Sequence, residues 1–283
     1  MYMATHNIIG LVVPDGINFL NSHYFTEMLH GIGSEAGMCG YDLLLRVINS
    51  GDEEKQVQPW ESKNCDGLLI AAPLLDDANI RVLEKKNFPV VLINSTSEHL
   101  SYVDINGVDG AMQAVQHLTQ LGHRKIAIIN GFMKGNNAID RFYGYKTALY
   151  QSKIKLNPDM VVYGNFKQDG GYHAMKKLLS LKTPPTAVFA ANDAMAFGAL
   201  KAIRESGRTV PYDISIVGFD DIELAGLADP PLTTLRQPMQ ELGRAAVRLL
   251  TEQIKKNKLL VRKIVLKPQL ICRQSTTEIK DEA

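Results

Sequence analysis

The stretch ISIVGFDDIELAG at 214–226 sets Asp220, Asp221 and Glu223 directly behind an apolar run. Carboxylates placed there could bind a metal, act as a general base, accept hydrogen bonds from a ligand, or finish a solvated turn. The first two roles need company that the chain does not supply. Its histidines (His6, His23, His30, His99, His117, His123 and His173) form no HExxH pair and join no cysteine cluster. His117 and His123, six apart around one helix end, do not share a face and read as surface or capping groups. No GxxxxGK[ST] or GxGxxG loop follows a predicted strand; the glycines of NGFMKGN (130–136) and DGGY (169–172) fall at the wrong spacing. A GxSxG elbow is also absent. The pattern asks for no cofactor, no metal and no catalysis.

A second set of residues stands where strands are predicted to end. Arg141 opens the helix DRFYGYKTAL beyond KIAIIN, Phe166 follows VVYGN, Asn192 and Asp193 join TAVFAAN to the next helix, and Asp220 follows IVGF. A guanidinium fork, an aromatic plate, an amide and a carboxylate suit a neutral polyol or ring compound. Asp220 would accept from hydroxyls, Arg141 donate to ring or hydroxyl oxygens, Asn192 do both, and Phe166 cover an apolar ring face. Each also has a plainer role. Asp193 reads equally as a helix N-cap, Asp221 as a brace of its own turn, Arg141 as a surface arginine and Phe166 as packing.

The elements that must position these residues alternate along the chain. Apolar runs at 8–14, 41–48, 66–72, 89–94, 125–130, 160–164, 186–192 and 214–219 predict strands. Several are apolar at consecutive positions, as in parallel sheets covered on both faces. Helical periodicity is predicted at 23–37, 77–87, 108–121, 139–152, 169–181, 194–206 and 239–256, with glycine stops in LGHRK and ESGRTVP. So many βα units favour two doubly wound domains over one sheet, and such sheets take ligands beyond the carboxyl ends of their strands.

Composition sets the outer limits. The 283 residues are 45% apolar and 22% charged, and 31 basic against 30 acidic side chains leave a net charge of +1. That balance argues against a chain that coats nucleic acid or an anionic membrane. The apolar runs are strand-sized, the start lacks the pattern of an export signal, and Cys39, Cys65 and Cys272 are scattered and odd in number. A cytoplasmic protein without a membrane partner is expected.

Six longer phrases are more specific. IIGLVVPD, HLTQLGHRKIAIING, DRFYGYKTAL, FAANDAMAFGALKAIRESGRTVPYDISIVGFDDIELA, PPLTTLRQPMQELGRAAVRLL and LICRQST follow in order from about Ile8 to Thr276. Together they resemble the effector-binding core of the LacI/GalR family of bacterial transcriptional regulators. The resemblance implies an α/β fold of the periplasmic binding protein-like type I: two doubly wound parallel-sheet lobes, a ligand cleft between them and three chain crossings. The first lobe would hold 1–131 and 236–265, the second 132–235 and 266–283.

It further implies ligand contacts by Arg141, Asn192 and Asp220, with Phe166 at the ring-stacking position. Asn21 and Tyr24 are the expected contacts of the first loop, DGINFLNSHYF (15–25). The effector would be a sugar or related polyol in preference to a purine, and the assembly a homodimer using the helix at 24–37 and second-lobe surfaces. Phe25, Met28, Leu29 and Ile32 of that helix serve equally well as sheet packing. Three departures concern the first lobe: that loop is about three residues longer than the family's usual form, Ser95 follows PVVLIN where an aspartate-arginine pair is common, and Asn106 stands where the family often has aspartate. Asn106 is read as a pocket residue with altered hydrogen-bonding capacity. Because the first predicted strand starts at residue 8, the helix-turn-helix headpiece that binds operator DNA is expected outside this chain. A sugar-binding protein of a transport system, with the same cleft and no DNA role, is the alternative.

Overall fold

The computed structural model describes residues 6–15, 20, 22–49, 65–71, 88–133, 135–256 and 261–279. The predicted helix at 77–87 and the candidate Asn21 lie outside the described residues. Two packing units partition the chain, one of residues 1–105 and 238–266, the other of 106–237 and 267–283.

In the first unit, strands β1 (Ile8–Asp15), β2 (Asp42–Asn49), β3 (Gly67–Ala71), β4 (Val90–Ile93), β5 (Ser101–Ile105) and β11 (Lys263–Leu266) pair in parallel. Their order is β11-β5-β4-β3-β1-β2. Alternate side chains serve opposite faces, and in β3, β4 and β5 both faces are buried, which is why the runs at β3 and β4 are continuously apolar. Leu11, Leu69, Val91 and Val103 pack with helices α1 (His23–Met38) and α7 (Met239–Lys256), while Val12, Leu68, Ile70 and Leu92 form a second core.

Helix α1 is capped by Ser22, whose hydroxyl oxygen accepts from the Phe25 amide at 3.1 Å. Two glycines let α1 and α7 touch at the backbone. A Cβ on Gly31 would meet the Gln240 carbonyl oxygen at 2.1 Å, and one on Gly243 the Met28 carbonyl oxygen at 2.5 Å. Phe25, Met28 and Ile32 are buried in this core and Leu29 packs against it. The apolar stripe of α1 is therefore used within its own unit.

The second unit holds α2 (Gly107–Gln120), β6 (Ile126–Asn130), α3 (Asn136–Gln151), β7 (Val161–Tyr163), α4 (Gln168–Leu179), β8 (Ala187–Ala190), α5 (Asp193–Glu205), β9 (Ser215–Asp220), α6 (Glu223–Leu227), β10 (Thr233–Arg236) and β12 (Gln269–Ile271). Its sheet runs β12-β10-β9-β8-β6-β7, parallel except for β12. The expected lobe boundaries shift here. Residues 106–131 belong to the second unit because β6 pairs with both β7 (Ile128 with Val161) and β8 (Ile126 with Ala187). The chain passes between units after 105, 237 and 266 rather than after 131, 235 and 265.

Four short strands, β5, β10, β11 and β12, escape the hydropathy reading. In β10 the reason is visible: Thr233 and Thr234 are fully buried, with their hydroxyls bonded inside the unit.

Candidate functional site

Parallel pairing brings the carboxyl ends of β6, β7, β8, β9 and β10 to one edge of the second sheet. Four of the predicted ligand residues arrive there. Asn192 follows β8 and caps α5, its Oδ1 accepting from the Met195 amide at 3.0 Å. The Asn192 amide nitrogen donates to the carbonyl oxygen of Phe166 at 3.0 Å, tying the loop after β7 to the loop after β8. Phe166 has φ of 60°, and its ring lies where a Cβ on Gly131 would stand, 1.9 Å from the ring edge. Glycine at 131 is what admits the ring.

Arg141 is carried by the first turns of α3 and is only 4% exposed. Its guanidinium carbon sits 3.8 Å from the centroid of the Phe219 ring, and Nη1 donates to the Ala191 carbonyl oxygen. This geometry suits arginine, whose planar cation stacks on a ring face and still donates in plane. The surface-arginine reading is thereby set aside.

Asp220 ends β9 in a left-handed conformation, φ 126°, and Asp221 follows at φ 58°. One Asp220 oxygen accepts from Gln237 Nε2 at 2.6 Å. Gln237 is buried just beyond β10, and its Oε1 finds no partner among the described residues. Asp221 is no solvated turn residue: its carboxylate is 4% exposed and paired with Arg236 (2.6 Å) and Arg273 (2.7 Å). Asp193 is fully buried and does not cap α5. Its Oδ1 accepts from the Thr234 hydroxyl at 2.5 Å and its Oδ2 from the Ile222 amide at 3.0 Å. Burial, and then the neighbouring Asp220, hold its carboxyl well above the usual carboxylate range.

The edge thus presents a stacked guanidinium, a capping amide, an aromatic ring and a carboxylate with its own buried amide partner. Side chains of these kinds have the chemistry to orient a polar ligand. Among the described residues no set of three His, Cys, Asp or Glu could hold a metal ion, and no helix is long and apolar enough to cross a membrane.

Residues 115–276 match the periplasmic binding protein-like domain family. The HTH-type transcriptional repressor PurR of Haemophilus influenzae (strain PittEE) is 34% identical over 283 residues, covering 97% of this chain and 83% of that protein. The chain belongs to the LacI family of transcriptional regulators. A solved CelR–cellobiose complex shares 32% identity at a TM-score of 0.89, covering 95% of this chain and 84% of that one. The lac repressor dimer bound to operator shares 29% at 0.85, covering 95% and 94%. The chain is the effector-binding core of a LacI-type regulator.

Not every expected site residue joins the cluster. Tyr24 belongs to the first unit, where its hydroxyl accepts from the Asn94 side-chain amide. Asn94 follows β4 at φ 58°, is buried, and keeps its Oδ1 without a partner among the described residues. Asn106 caps α2 through the Asp109 amide at 2.9 Å, and the adjoining Gly107 packs on Asp140 and Arg141. Gln237 and Asn94 were not foreseen. Gln237 follows a strand hidden by its threonines, whereas Asn94 sits at a predicted strand end and could have been listed with the others.

His123 is likewise more than a surface group. It is buried where β6 begins, within hydrogen-bond distance of Thr186 (3.0 Å), Ser215 (3.1 Å) and the Thr277 carbonyl (3.1 Å). A cavity of about 520 Å³ opens beside it, lined by cations (Arg124, Lys125) and anions (Asp213, Glu278) alike. It offers no convergent set comparable to the other edge.

Proposed function

We propose that the carboxyl-end edge of the second unit's sheet is where this regulator receives its effector, a sugar or related polyol, through Arg141, Asn192 and Asp220 with Phe166 against the ring. Asn106, at the start of α2 in the same unit, supplies a further contact. The observation that carries the reading is Arg141, a buried cation stacked on Phe219 and bonded to Ala191. Burying a charge costs several kcal/mol unless it is matched, and a ligand-binding edge is the natural place to retain one. The relative solved with cellobiose supports a sugar over a purine.

Effector binding changes operator affinity only if the effector prefers one arrangement of the protein over the other. Operator contact itself falls to a headpiece outside these residues, with two copies of the chain on two half-sites, as the lac repressor dimer on its operator supports. Its compartment is the cytoplasm. A thermal-shift screen of sugars, sugar phosphates, polyols and purines tests the reading, since a ligand of the native state raises the melting temperature. A sugar or polyol should stabilise the wild type and lose that effect in Asp220→Ala; stabilisation by purines alone would overturn the ligand class.

A further inference from the structure

We propose that Asp193 is the positioning residue of the effector site: its buried carboxyl group ties the start of α5 to the turn after β9 and so fixes where the Asp220 carboxylate stands. The inference rests on Asp220 being the effector's acceptor, but its geometry stands on its own. Asp220 and Asp221 are consecutive non-glycine residues with positive φ, a conformation that persists only when its surroundings enforce it.

Beside the Arg236 and Arg273 pairs of Asp221 and the Gln237 bond to Asp220, a third set of holding contacts converges on Asp193. Its Oδ2 accepts from the Ile222 amide at 3.0 Å, directly beyond the strained pair. Its Oδ1 accepts from Thr234 on the neighbouring strand at 2.5 Å. The same oxygen lies against β9, where a Cβ on Gly218 would meet it at 2.2 Å. One carboxyl group thus clamps α5, β9, β10 and the 220–222 turn. The charged groups around it are Asp220 and Asp221, while Arg236 and Arg273 are both committed to Asp221. Burial first, and then the carboxylates of Asp220 and Asp221, make Asp193 resist ionisation, so its charge and that of Asp220 oppose each other.

The test uses the effector-free protein. In carboxyl ¹³C NMR titrations of the wild type, the Asp220 resonance should show a second inflection above the ordinary carboxylate range, coincident with the titration of Asp193. D193N, which keeps the shape and remains neutral, should lose that inflection while its Ile222 amide exchanges within about threefold of the wild-type rate. In D193A the same amide should exchange at least about tenfold faster. Asp193 titrating with ordinary carboxylates, a second inflection persisting in D193N, or unchanged Ile222 exchange in D193A would each overturn the assignment. If D193A does not fold, the D193N titration decides. No effector enters these measurements, so they can fail while Asp220→Ala still abolishes effector binding, and the two readings fail separately.

Discussion

Replacing Arg141 by methionine separates a residue kept for ligand binding from one kept for stability. In the folded protein the guanidinium makes a desolvated cation–π contact worth up to about 2 kcal/mol. It also makes a charge-assisted hydrogen bond to Ala191 worth about 1.5–3 kcal/mol. Against these stands the cost of taking a 4%-exposed cation out of water, several kcal/mol after relaxation. Methionine removes that cost and regains about 0.3–1.5 kcal/mol by placing sulfur on the Phe219 ring. The terms nearly cancel, so R141M should change unfolding free energy by less than about 2 kcal/mol. Effector binding, by contrast, loses a charged donor worth about 1.5–3 kcal/mol, a roughly ten- to hundredfold weakening. Urea unfolding gives the first quantity, and calorimetry with the best ligand of the screen gives the second. Loss of more than about 3 kcal/mol of stability with affinity intact would make Arg141 a structural brace and refute the reasoning.

Three further outcomes follow from the same contacts. Asp220→Ala should weaken effector binding by at least about 1.5 kcal/mol, since it leaves Gln237 and the ligand's donor unmatched; near-wild-type affinity by calorimetry would remove Asp220 from the site. Gly31→Ala should destabilise the protein by about 1–3 kcal/mol, because the new methyl group meets the Gln240 backbone, which cannot swing aside; an unchanged denaturant midpoint would refute the close approach of α1 and α7. Burial lowers the imidazole pKa of both His117 and His123, so the unfolded chain binds more protons than the folded one just below the free-imidazole value of about 6.5. Stability should therefore fall as pH drops from about 6.5 toward the lowered folded values. An H117N/H123N variant should flatten that slope, and a slope that survives in it would assign the effect elsewhere.

The sheet-forming runs were legible where burial is purely apolar. Leu68 to Ile70 and Val91 to Ile93 have cores on both faces, and continuous hydropathy reports that directly. Strand β10 was not legible, since Thr233 and Thr234 look solvated until their buried partners are known. The same gap concealed Gln237. Position after a strand was enough to nominate Asn192, Phe166 and Asp220, because parallel pairing alone brings strand ends to one edge. It could not distinguish Asp193 from a cap or Asp221 from a turn. Those roles depend on Thr234, Arg236 and Arg273, which join them only through tertiary packing. The lobe boundary failed for a related reason: β6 reads as a strand, but only its pairing with β7 and β8 says to which sheet it belongs.

The reciprocal glycine contact between α1 and α7 also orders events during synthesis. Arg248 and Glu35, ion-paired at 2.9 Å across those helices, are 213 residues apart in the chain. Strands β1 to β5 therefore cannot complete their core until the segment from 238 onward has emerged. The second unit has most of its elements in the unbroken stretch 106–237. At typical translation rates that stretch takes on the order of ten seconds to make. Strands β1, β3 and β4 are thus made well before the helix that completes their core, and these apolar strands must be kept from other chains meanwhile.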